Sequence, residues 1–276
     1  MPGIDSAAVV EGGVFAMGSE AEDAYPGDQE GPVRSVAVAT FALAPTAVTN
    51  GEFREFAEQT GYTTDAERYG WSFVFQGFLP EGFGPTRSAV GAGWWRQVDG
   101  ACWHSPEGPS SNVEDRLDHP VVHVSWNDAR HYALSVGGRL PGEAEWEYAA
   151  RGGLDQRRFP WGDDLTPGGR WRCNIWQGSF PVENTAEDGY LGTAPVNAYE
   201  PSGFGLFNMV GNVWEWCADE YRGAPGQAPR GRVIRGGSYL CHESYCNRYR
   251  VSARSFSGPE SSAGNVGIRV AWDAPA

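Results

Sequence analysis

The sequence predicts an α+β protein, folded as a single irregular, loop-rich domain with little regular secondary structure. Glycine occurs 38 times and proline 19 times in 276 residues, high counts for a chain without a collagen period, and both favour turns and short strands. Three short helical patterns lie before residue 153, and only brief β-type pieces follow them. The 12 tryptophans supply large, rigid side chains that can pack such loops against a core.

Each of the three helices has a recognisable start and end. Thr49 can cap a helix that ends near Gly61, and Ser125–Asp128 resembles a capping box that opens the second helix. The third covers Glu143–Ala150, whose carboxylates lie in the first turn, where they suit the helix dipole. The later apolar positions that suggest strands are Val196, Val233–Ile234 and Ile268–Val270.

The chain is organised as one domain. It has no repeat of fixed period, and its acidic stretch from Glu20 to Glu30 is short and interrupted by Pro26 and Gly27. We expect a flexible N-terminus at residues 1–8 and one domain over residues 9–274. Because functional residues concentrate on loops that a scaffold holds, the loop-rich C-terminal half is the place to look for chemistry.

Charge and composition exclude several classes of partner. The formal net charge is -14 and the mean hydropathy is -0.44, so an acidic surface would repel nucleic acid and anionic membranes. The sequence has no apolar run long enough to cross a bilayer, and it begins without a basic segment followed by an apolar one. Five cysteines are too few for a disulfide-stapled scaffold. We therefore expect a cytoplasmic protein with no nucleic-acid or membrane partner, and we take it to be a monomer.

The main candidate site is a pair of cysteines on one short loop, Cys241 and Cys246. Arginines nearby favour thiolates over thiols. Two thiolates are too few for a structural zinc site but suit a soft ion of low coordination number such as Cu(I). A local disulfide or two inert cysteines explain the same pattern, because spacing alone rarely identifies what a thiol pair does. We interpret Cys102, Cys173 and Cys217 as ordinary buried side chains.

Two further loops concentrate oxygen atoms that could surround calcium. They cover residues 174–190 and 208–215, and neither matches an EF-hand loop. Asn and Asp that bond to their own backbone in turns are the commoner explanation of such loops. The histidines lack the paired spacing of a zinc hydrolase, and the sequence has neither a phosphate loop nor a nucleophile-elbow serine.

At this point the sequence resembles a known family, the formylglycine-generating enzymes or sulfatase-modifying factors, over nearly its whole length. The part specific to the enzymes is Arg235–Ser238 leading into the two cysteines, followed by Arg248–Arg250 and Asn265. The segments shared with the wider superfamily are Gly13–Gly18, Pro120–Trp126, Arg139–Pro141, Glu143–Glu147 and Gly211–Trp216.

The resemblance implies a fold related to C-type lectins and an oxidase activity. It implies that dioxygen and an external thiol reductant are used to convert the cysteine of a Cys-x-Pro-x-Arg motif, in an unfolded sulfatase polypeptide, to Cα-formylglycine. Cu(I) would lie between Cys241 and Cys246, and the substrate thiolate would join as a third ligand. The resemblance also makes Ser238 and Tyr245 hydrogen-bond donors to the oxygen species and Trp214 a wall of the pocket.

The resemblance further implies two structural calcium ions, against the turn interpretation given above. The first would be held by Asn174, Ile175, Asp188 and Tyr190. The second would be held by Asn208, Gly211, Val213 and Glu215.

The chain departs from the secretory members of the family at six positions. Ala47 and Trp71 replace acidic residues that hold the substrate arginine, and Trp71 could stack on a guanidinium instead. The positions where disulfide cysteines would stand hold Ala133, Ala150, Val251 and Val270. These four side chains are consistent with a bacterial-type, cytosolic protein.

Three other functions compete with this one. A non-catalytic calcium-binding module of the same fold would not need the two cysteines. A non-heme iron sulfoxide synthase would need a His-x-x-x-His-x-Glu pattern, which the sequence lacks. A thiol–disulfide exchanger usually has Cys-x-x-Cys at the start of a helix.

Overall fold

A computed structural model describes residues 3–223 and 226–274. The α-helices of these residues are α1 Asn50–Thr60, α2 Asp65–Tyr69, α3 Trp126–Ser135 and α4 Glu143–Ala150. The strands are β1 Ala8–Val10, β2 Gly13–Met17, β3 Arg34–Val38, β4 Phe41–Leu43, β5 Trp71–Phe75, β6 Ser88–Ala89, β7 Ala92–Asp99, β8 Gly178–Ser179, β9 Glu183–Asn184, β10 Trp214–Arg222, β11 Pro229–Arg235, β12 Arg254–Ser257, β13 Val266–Gly267 and β14 Ala271–Asp273.

The three predicted helices are confirmed with their caps. Thr49 accepts a hydrogen bond of 3.1 Å from Glu52 N at the start of α1, and α1 ends at Gly61 in the left-handed conformation. Ser125 and Asp128 form the predicted capping box of α3. The sequence analysis missed α2, because its five residues are too few to show a helical period.

Short sheets surround these helices, so the predicted α+β class is confirmed. The largest sheet of the described residues has the order β12-β11-β10-β13, and its β10 and β11 pair antiparallel. A second sheet, β1-β4-β14, joins the two ends of the chain, and a third has the order β5-β7-β6. The pairs β2-β3 and β8-β9 complete the set. None of the helices in the described residues is long and apolar enough to cross a bilayer.

Two of the three strand predictions were wrong. Val233 and Ile234 lie in β11 as expected, but Val196 lies in a turn and Ile268–Val270 connects β13 to β14. Ile268 and Val270 are fully buried, and their carbonyls accept hydrogen bonds from loop residues outside any strand ladder. Their apolar character reflects burial in the core, which a short apolar run cannot distinguish from a strand.

The described residues test only part of the predicted flexible N-terminus. Residues 1–2 of the predicted flexible segment lie outside the described residues. Within the rest of it, Ile4–Ser6 form a 3-10 turn and Ala8 begins β1, which pairs with β4. The flexibility of residues 1–8 therefore stays a prediction.

Buried ion pairs attach α4 to the sheet that leads into the cysteine loop. Arg235, at the end of β11, is fully buried and donates to Glu143 at 3.0 Å and to Glu147 at 2.6 Å. Its guanidinium also lies 5.3 Å from the ring centre of Trp146. Because buried charges are stable only when paired, this network fixes where the chain leaves β11.

Candidate active site around two cysteines

The loop that contains Cys241 and Cys246 begins with two glycines in the left-handed region. Gly236 has φ 96° and Gly237 has φ 73°. A Cβ at Gly237 would lie 2.9 Å from the carbonyl oxygen of Arg248. Only glycine permits this close approach, so the start of the loop packs directly on its far end.

The two cysteines are buried and their side chains form a hydrogen bond with each other. Cys241 is 1% exposed and Cys246 is 6% exposed, and all five cysteines are free. Ser238 N donates to Cys241 Sγ at 3.4 Å, and Cys246 N donates to the carbonyl of His242 at 2.7 Å. The structure thus brings together the pair that the sequence singled out, and the two cysteines are free rather than joined in a disulfide.

The two sulfurs differ in how they hold a proton. Burial alone would raise the pKa of Cys246, but the hydrogen bond from Cys241 and the charge of Arg248 lower that pKa below its ordinary value. Burial, together with the hydrogen bond to Cys246, raises the pKa of Cys241 well above its ordinary value. The pair is therefore asymmetric, because Cys246 loses its proton more easily than Cys241.

Ser238 and Trp214 are joined through Asn265. Ser238 Oγ accepts a hydrogen bond of 3.0 Å from Asn265 Nδ2, and Trp214 N donates to the carbonyl of Asn265 at 2.9 Å. All three residues are buried, with Ser238 fully enclosed. The sequence analysis named Asn265 only through the family resemblance, yet its side chain hydrogen-bonds directly to Ser238.

Tyr245 is the exposed member of the site. Its ring is 37% exposed and stacks on Phe180 with the ring centres 4.4 Å apart and the planes 1° apart, while Trp94 meets it edge-on at 4.7 Å. Burial, followed by the nearby cysteine charges, raises the pKa of Tyr245 to about 12, so the phenol stays protonated.

Sequence reasoning missed Phe180 and Trp94, whose rings pack on the ring of Tyr245. They come from the turn between β8 and β9 and from strand β7, far from the cysteine loop along the chain. Both belong to or pack against an aromatic cluster that includes Trp176, whose backbone N donates to the carbonyl of Cys241 at 3.0 Å. No local pattern in the sequence indicates this meeting.

The residues predicted for the first calcium ion do come together. Asp188 Oδ2 accepts hydrogen bonds from Ile175 N at 2.9 Å and from Gln177 Nε2 at 2.8 Å, and Asp188 Oδ1 accepts from Tyr190 N at 3.0 Å. The same Gln177 nitrogen also donates to the carbonyl of Ile175. Asn174 Oδ1 is buried without a hydrogen-bond partner in the described residues. A carboxylate, a carbonyl and an unpaired amide oxygen form a donor set that fits calcium.

The residues predicted for the second calcium ion fit less completely. Asn208 Oδ1 is buried and unpaired among the described residues, as a ligand oxygen would be. Both carboxylate oxygens of Glu215 accept hydrogen bonds from Arg269, at 2.7 to 3.0 Å. Because Arg269 already neutralises this carboxylate, the Glu215 side chain is a poor ligand for a cation. Gly211 and Val213 lie in the connection that leads into β10 and can offer only backbone oxygens.

Within residues 3–223 and 226–274, no three His, Cys, Asp or Glu side chains cluster so as to hold a metal ion. The cysteine pair is therefore a two-ligand site that needs a further ligand from outside the chain to reach higher coordination. Soft thiolates favour Cu(I), zinc and iron–sulfur clusters, and a pair of them is too few for the last two, so the residues present fit Cu(I).

The six positions that depart from secretory relatives have simple surroundings. Ala133, Ala150, Val251 and Val270 are buried apolar side chains of the core. Ala47 is buried as well, whereas Trp71 is partly exposed at the start of β5 and meets Phe73 edge-on at 5.1 Å.

Fold and site together define a single-domain α+β protein whose C-terminal loop holds a coupled pair of free thiols. Residues 3–274 match the family described as "Sulfatase-modifying factor enzyme 1-like domain". The chain belongs to this family, so the resemblance stated from the sequence is confirmed.

Relatives and a solved structure agree with this assignment. The chain is 58% identical to the formylglycine-generating enzyme of Thermomonospora curvata over 280 residues, which cover 96% of this chain and 92% of that protein. It is 57% identical to the enzyme of the same name from Streptomyces coelicolor, over 95% of this chain and 88% of that protein. The structure of PvdO from Pseudomonas aeruginosa superposes with a TM-score of 0.67 at 26% identity, covering 96% of this chain and 93% of PvdO.

Proposed function

We propose that this protein oxidises the cysteine of a Cys-x-Pro-x-Arg motif, in an unfolded sulfatase polypeptide, to Cα-formylglycine. It would use dioxygen and an external thiol reductant, with Cu(I) bound by Cys241 and Cys246, and would work as a monomer in the cytoplasm. The observation on which the proposal depends is the buried pair of free thiols on one loop, in which Cys246 has the lower pKa. Membership of the family and the names of the relatives support the activity.

The electrons of this reaction balance. Oxidation of the substrate CH2–SH group to a thioaldehyde releases two electrons and two protons, and two reductant thiols release two more of each as they form a disulfide. Dioxygen accepts all four electrons and four protons and becomes two water molecules. Water then hydrolyses the thioaldehyde to the aldehyde and hydrogen sulfide. Bound Cu(I) would supply the one-electron chemistry that lets dioxygen react.

The residues of the chain would have separate tasks. Cys246 would give up its proton to a metal ion more easily than Cys241, because its pKa is lowered while that of Cys241 is raised. Tyr245 and Ser238 can donate hydrogen bonds towards the oxygen substrate, since both hydroxyls are protonated. The Phe180 ring stacks on Tyr245 and covers one face of its phenol ring.

Mass spectrometry of a Cys-x-Pro-x-Arg peptide incubated with Cu(I)-loaded protein, dioxygen and a thiol tests the proposal. We expect an aldehyde with the wild type and its loss in Cys241→Ser and in Cys246→Ser. Cys102→Ser is the matched control, because Cys102 is buried and free but lies on a separate turn beside His104. Turnover that persists in either of the first two variants would refute the copper assignment. Failure of the loaded wild type would favour a non-catalytic calcium-binding module.

A further inference from the structure

Four arginines line one cavity beside the far end of the cysteine loop. The cavity has a volume of about 290 Å³, close to the lower end of the range for small-molecule sites. We call it the arginine pocket, after the side chains of Arg151, Arg157, Arg158 and Arg250 that line it. The chain has 21 basic and 35 acidic residues, so four arginines around one cavity need a physical explanation.

Arg151 brings to this pocket a hydrogen-bond donor that has no partner. The residue is 4% exposed, and its Nε and Nη2 donate to Glu147 Oε1 at 3.1 and 2.7 Å. Its Nη2 also donates to the carbonyl of Gly18 at 2.9 Å. Its Nη1, by contrast, is buried without a hydrogen-bond partner in the described residues. Because an unsatisfied buried donor costs free energy, and more so when it is charged, this nitrogen needs an acceptor from outside the chain.

Arg250 lines the pocket with its orientation already fixed. It is 2% exposed and donates to the two carboxylate oxygens of Glu30 at 2.6 and 2.7 Å. Ser252, which also lines the pocket, donates to the same carboxylate at 3.0 Å. A guanidinium has more N–H groups than one carboxylate can accept from. The pairing with Glu30 therefore holds the plane of Arg250 without using all of its donors.

Arg157 and Arg158 are the half-exposed arginines of the pocket. Arg157 pairs with Asp163 and Arg158 pairs with Asp23, both at 2.6 Å, and the two aspartates line the pocket as well. Exposed pairs of this kind add little to the free energy of unfolding, so stability alone does not account for them. The aspartates orient the two guanidinium groups and also limit how much negative charge the pocket can accept.

We propose that the arginine pocket binds a tetrahedral oxyanion, either phosphate or sulfate. Such an anion presents oxygens in several directions, so it can accept from Arg151 Nη1 and from the other guanidinium groups of the pocket at once. A planar carboxylate has only two oxygens and would leave part of the arginine set unused. The bound oxyanion would supply the acceptor that the buried Nη1 lacks.

Two other accounts of the pocket explain less. Water would satisfy Arg151 Nη1, since polar cavities commonly hold water. It carries no charge, however, so it gives no reason for three further arginines to line the same cavity. Arg151 also borders a second groove beside β2, but the other charged side chain among the described residues of that groove is Asp155, which would repel an anion.

The lining aspartates favour phosphate over sulfate. Near neutral pH, the hydrogen phosphate ion carries a proton on one oxygen, whereas sulfate has acceptors only. Hydrogen phosphate can therefore donate to Asp23 or Asp163 while its other oxygens accept from the arginines. We expect phosphate to bind more tightly, and tighter binding of sulfate would assign the pocket to sulfate instead.

The inference goes beyond the proposed function and does not depend on it. A bound oxyanion would join the turn after α4 to the segment that follows Cys246, because both contribute arginines to the pocket. Anion binding needs neither copper nor a peptide substrate. A wild type that forms no aldehyde therefore leaves the binding test intact, and a wild type that binds no oxyanion leaves the aldehyde assay intact.

Equilibrium dialysis of the full chain against radiolabelled phosphate, and separately against radiolabelled sulfate, tests the proposal. No copper, calcium or peptide is added, and sodium chloride keeps the ionic strength constant because salt screens charge pairs. We expect one saturable site per chain for phosphate. Failure of both anions to saturate at concentrations up to about 10 mM would overturn the proposal, because a charged donor in a buried site should bind more tightly than that.

Two variants and a matched control locate the site. Arg151→Lys should weaken phosphate binding by about tenfold, because lysine keeps the charge but lacks the Nη1 donor. Arg157→Gln should weaken it by about three- to tenfold, the effect of removing one charge from a partly solvated site. Arg222→Gln should bind like the wild type, since Arg222 is likewise exposed and pairs with Glu220 at 2.6 Å but lies at the end of β10. The last two variants change the net charge equally.

Wild-type affinity in either Arg151→Lys or Arg157→Gln would place the anion outside the arginine pocket and overturn the proposal. Should Arg151→Lys prove unstable in a thermal melt, the double variant Arg157→Gln/Arg158→Gln replaces it, because both of its side chains are half-exposed. That variant should lose at least about tenfold in phosphate affinity. Its control, Arg54→Gln/Arg222→Gln, removes two guanidinium groups from exposed pairs elsewhere and should lose none.

Hydrogen–deuterium exchange locates the bound anion without any substitution. Phosphate should slow exchange in the peptides that cover residues 151–163 and 247–252, because it joins these two segments, and it should leave the peptides of α1 unchanged. Equal slowing in the peptides of α1 would show general stabilisation rather than binding in the arginine pocket, and would contradict the proposal.

Discussion

Asn265 Nδ2 donates a hydrogen bond of 3.0 Å to Ser238 Oγ, and the carbonyl of Asn265 accepts from Trp214 N. The Asn265 side chain thereby orients the Ser238 hydroxyl near the thiol pair, while the Asn265 backbone is hydrogen-bonded to β10 of the largest sheet. Because both partners are buried, the hydroxyl has few alternative directions for its own proton.

This geometry predicts that Ser238 and Asn265 act as a unit. Ser238→Ala and Asn265→Ala should each lower the kcat for peptide oxidation by about tenfold, the effect of one hydrogen bond in a buried site. The double variant should be little worse than either single one, because the same interaction is removed in all three. Steady-state kinetics of the wild type, the two single variants and the double variant measures kcat. If the loss in the double variant equals the product of the two single losses, the two residues act independently.

Gly237→Ala should disturb the cysteine loop through a steric contact. The added Cβ would meet the Arg248 carbonyl at 2.9 Å in a left-handed residue, and we expect a loss of about 2 kcal/mol in the free energy of unfolding. Gly91→Ala is the matched control, because Gly91 has φ 76° but nothing within 4 Å of the added atom. Urea denaturation gives the free energy of unfolding of both variants. Gly91→Ala loses only the conformational part, so an equal loss in the two variants would contradict the steric contact at Gly237.

Arg235→Met should be among the most destabilising single changes in the chain. It leaves Glu143 and Glu147 beside each other, both buried, with one cation removed, and breaking a buried pair in this way costs about 3–5 kcal/mol. Arg54→Met removes an exposed pair and should change the free energy of unfolding by less than about 1 kcal/mol. The comparison is made by chemical denaturation at pH 7, and similar losses in the two variants would contradict it.

Calcium should stabilise the fold through the site at Asp188. Protein dialysed against EDTA should gain about 2.7 kcal/mol of stability when calcium is added at 100 times its Kd. Asp188→Asn should remove most of that gain, while Asp163→Asn, at an exposed carboxylate, should not. Thermal melts with and without calcium provide the measurement. Elemental analysis that finds no calcium in protein purified without chelator would count against both sites.

His123 should make the protein sensitive to acid. Complete burial lowers the pKa of His123 from 6.5 to about 4, and its Nδ1 contacts Ser72 Oγ at 2.8 Å. Since the unfolded chain takes up a proton more readily than the folded one, stability is complete above pH 6.5 and falls as pH drops from 6.5 towards 4. The loss amounts to about 3 kcal/mol at 1.36 kcal/mol per unit. The free energy of unfolding, measured at several pH values, should fall in this way for the wild type. If the same fall is seen in His123→Phe, a group other than His123 causes it.

Local sequence signals determined three of the four α-helices in the described residues, the identity of the thiol pair and the family. The capping side chains of Thr49 and Ser125 bond to residues three positions further along the chain. A glycine pair followed by closely spaced cysteines can likewise be recognised without knowing the fold. These features follow from short-range sterics and hydrogen bonding, so a single sequence is enough to predict them.

Only the tertiary structure decided the environment of those cysteines. Three features of this environment depend on contacts between distant segments. They are the packing of Phe180 and Trp94 on Tyr245, the hydrogen bond from Asn265 to Ser238, and the salt bridge between Arg248 and Asp28. Such contacts arise from the packing of the whole core, and no local pattern encodes their partners. The two cysteines can therefore be predicted from the sequence, whereas the difference between their pKa values depends on the fold that surrounds them.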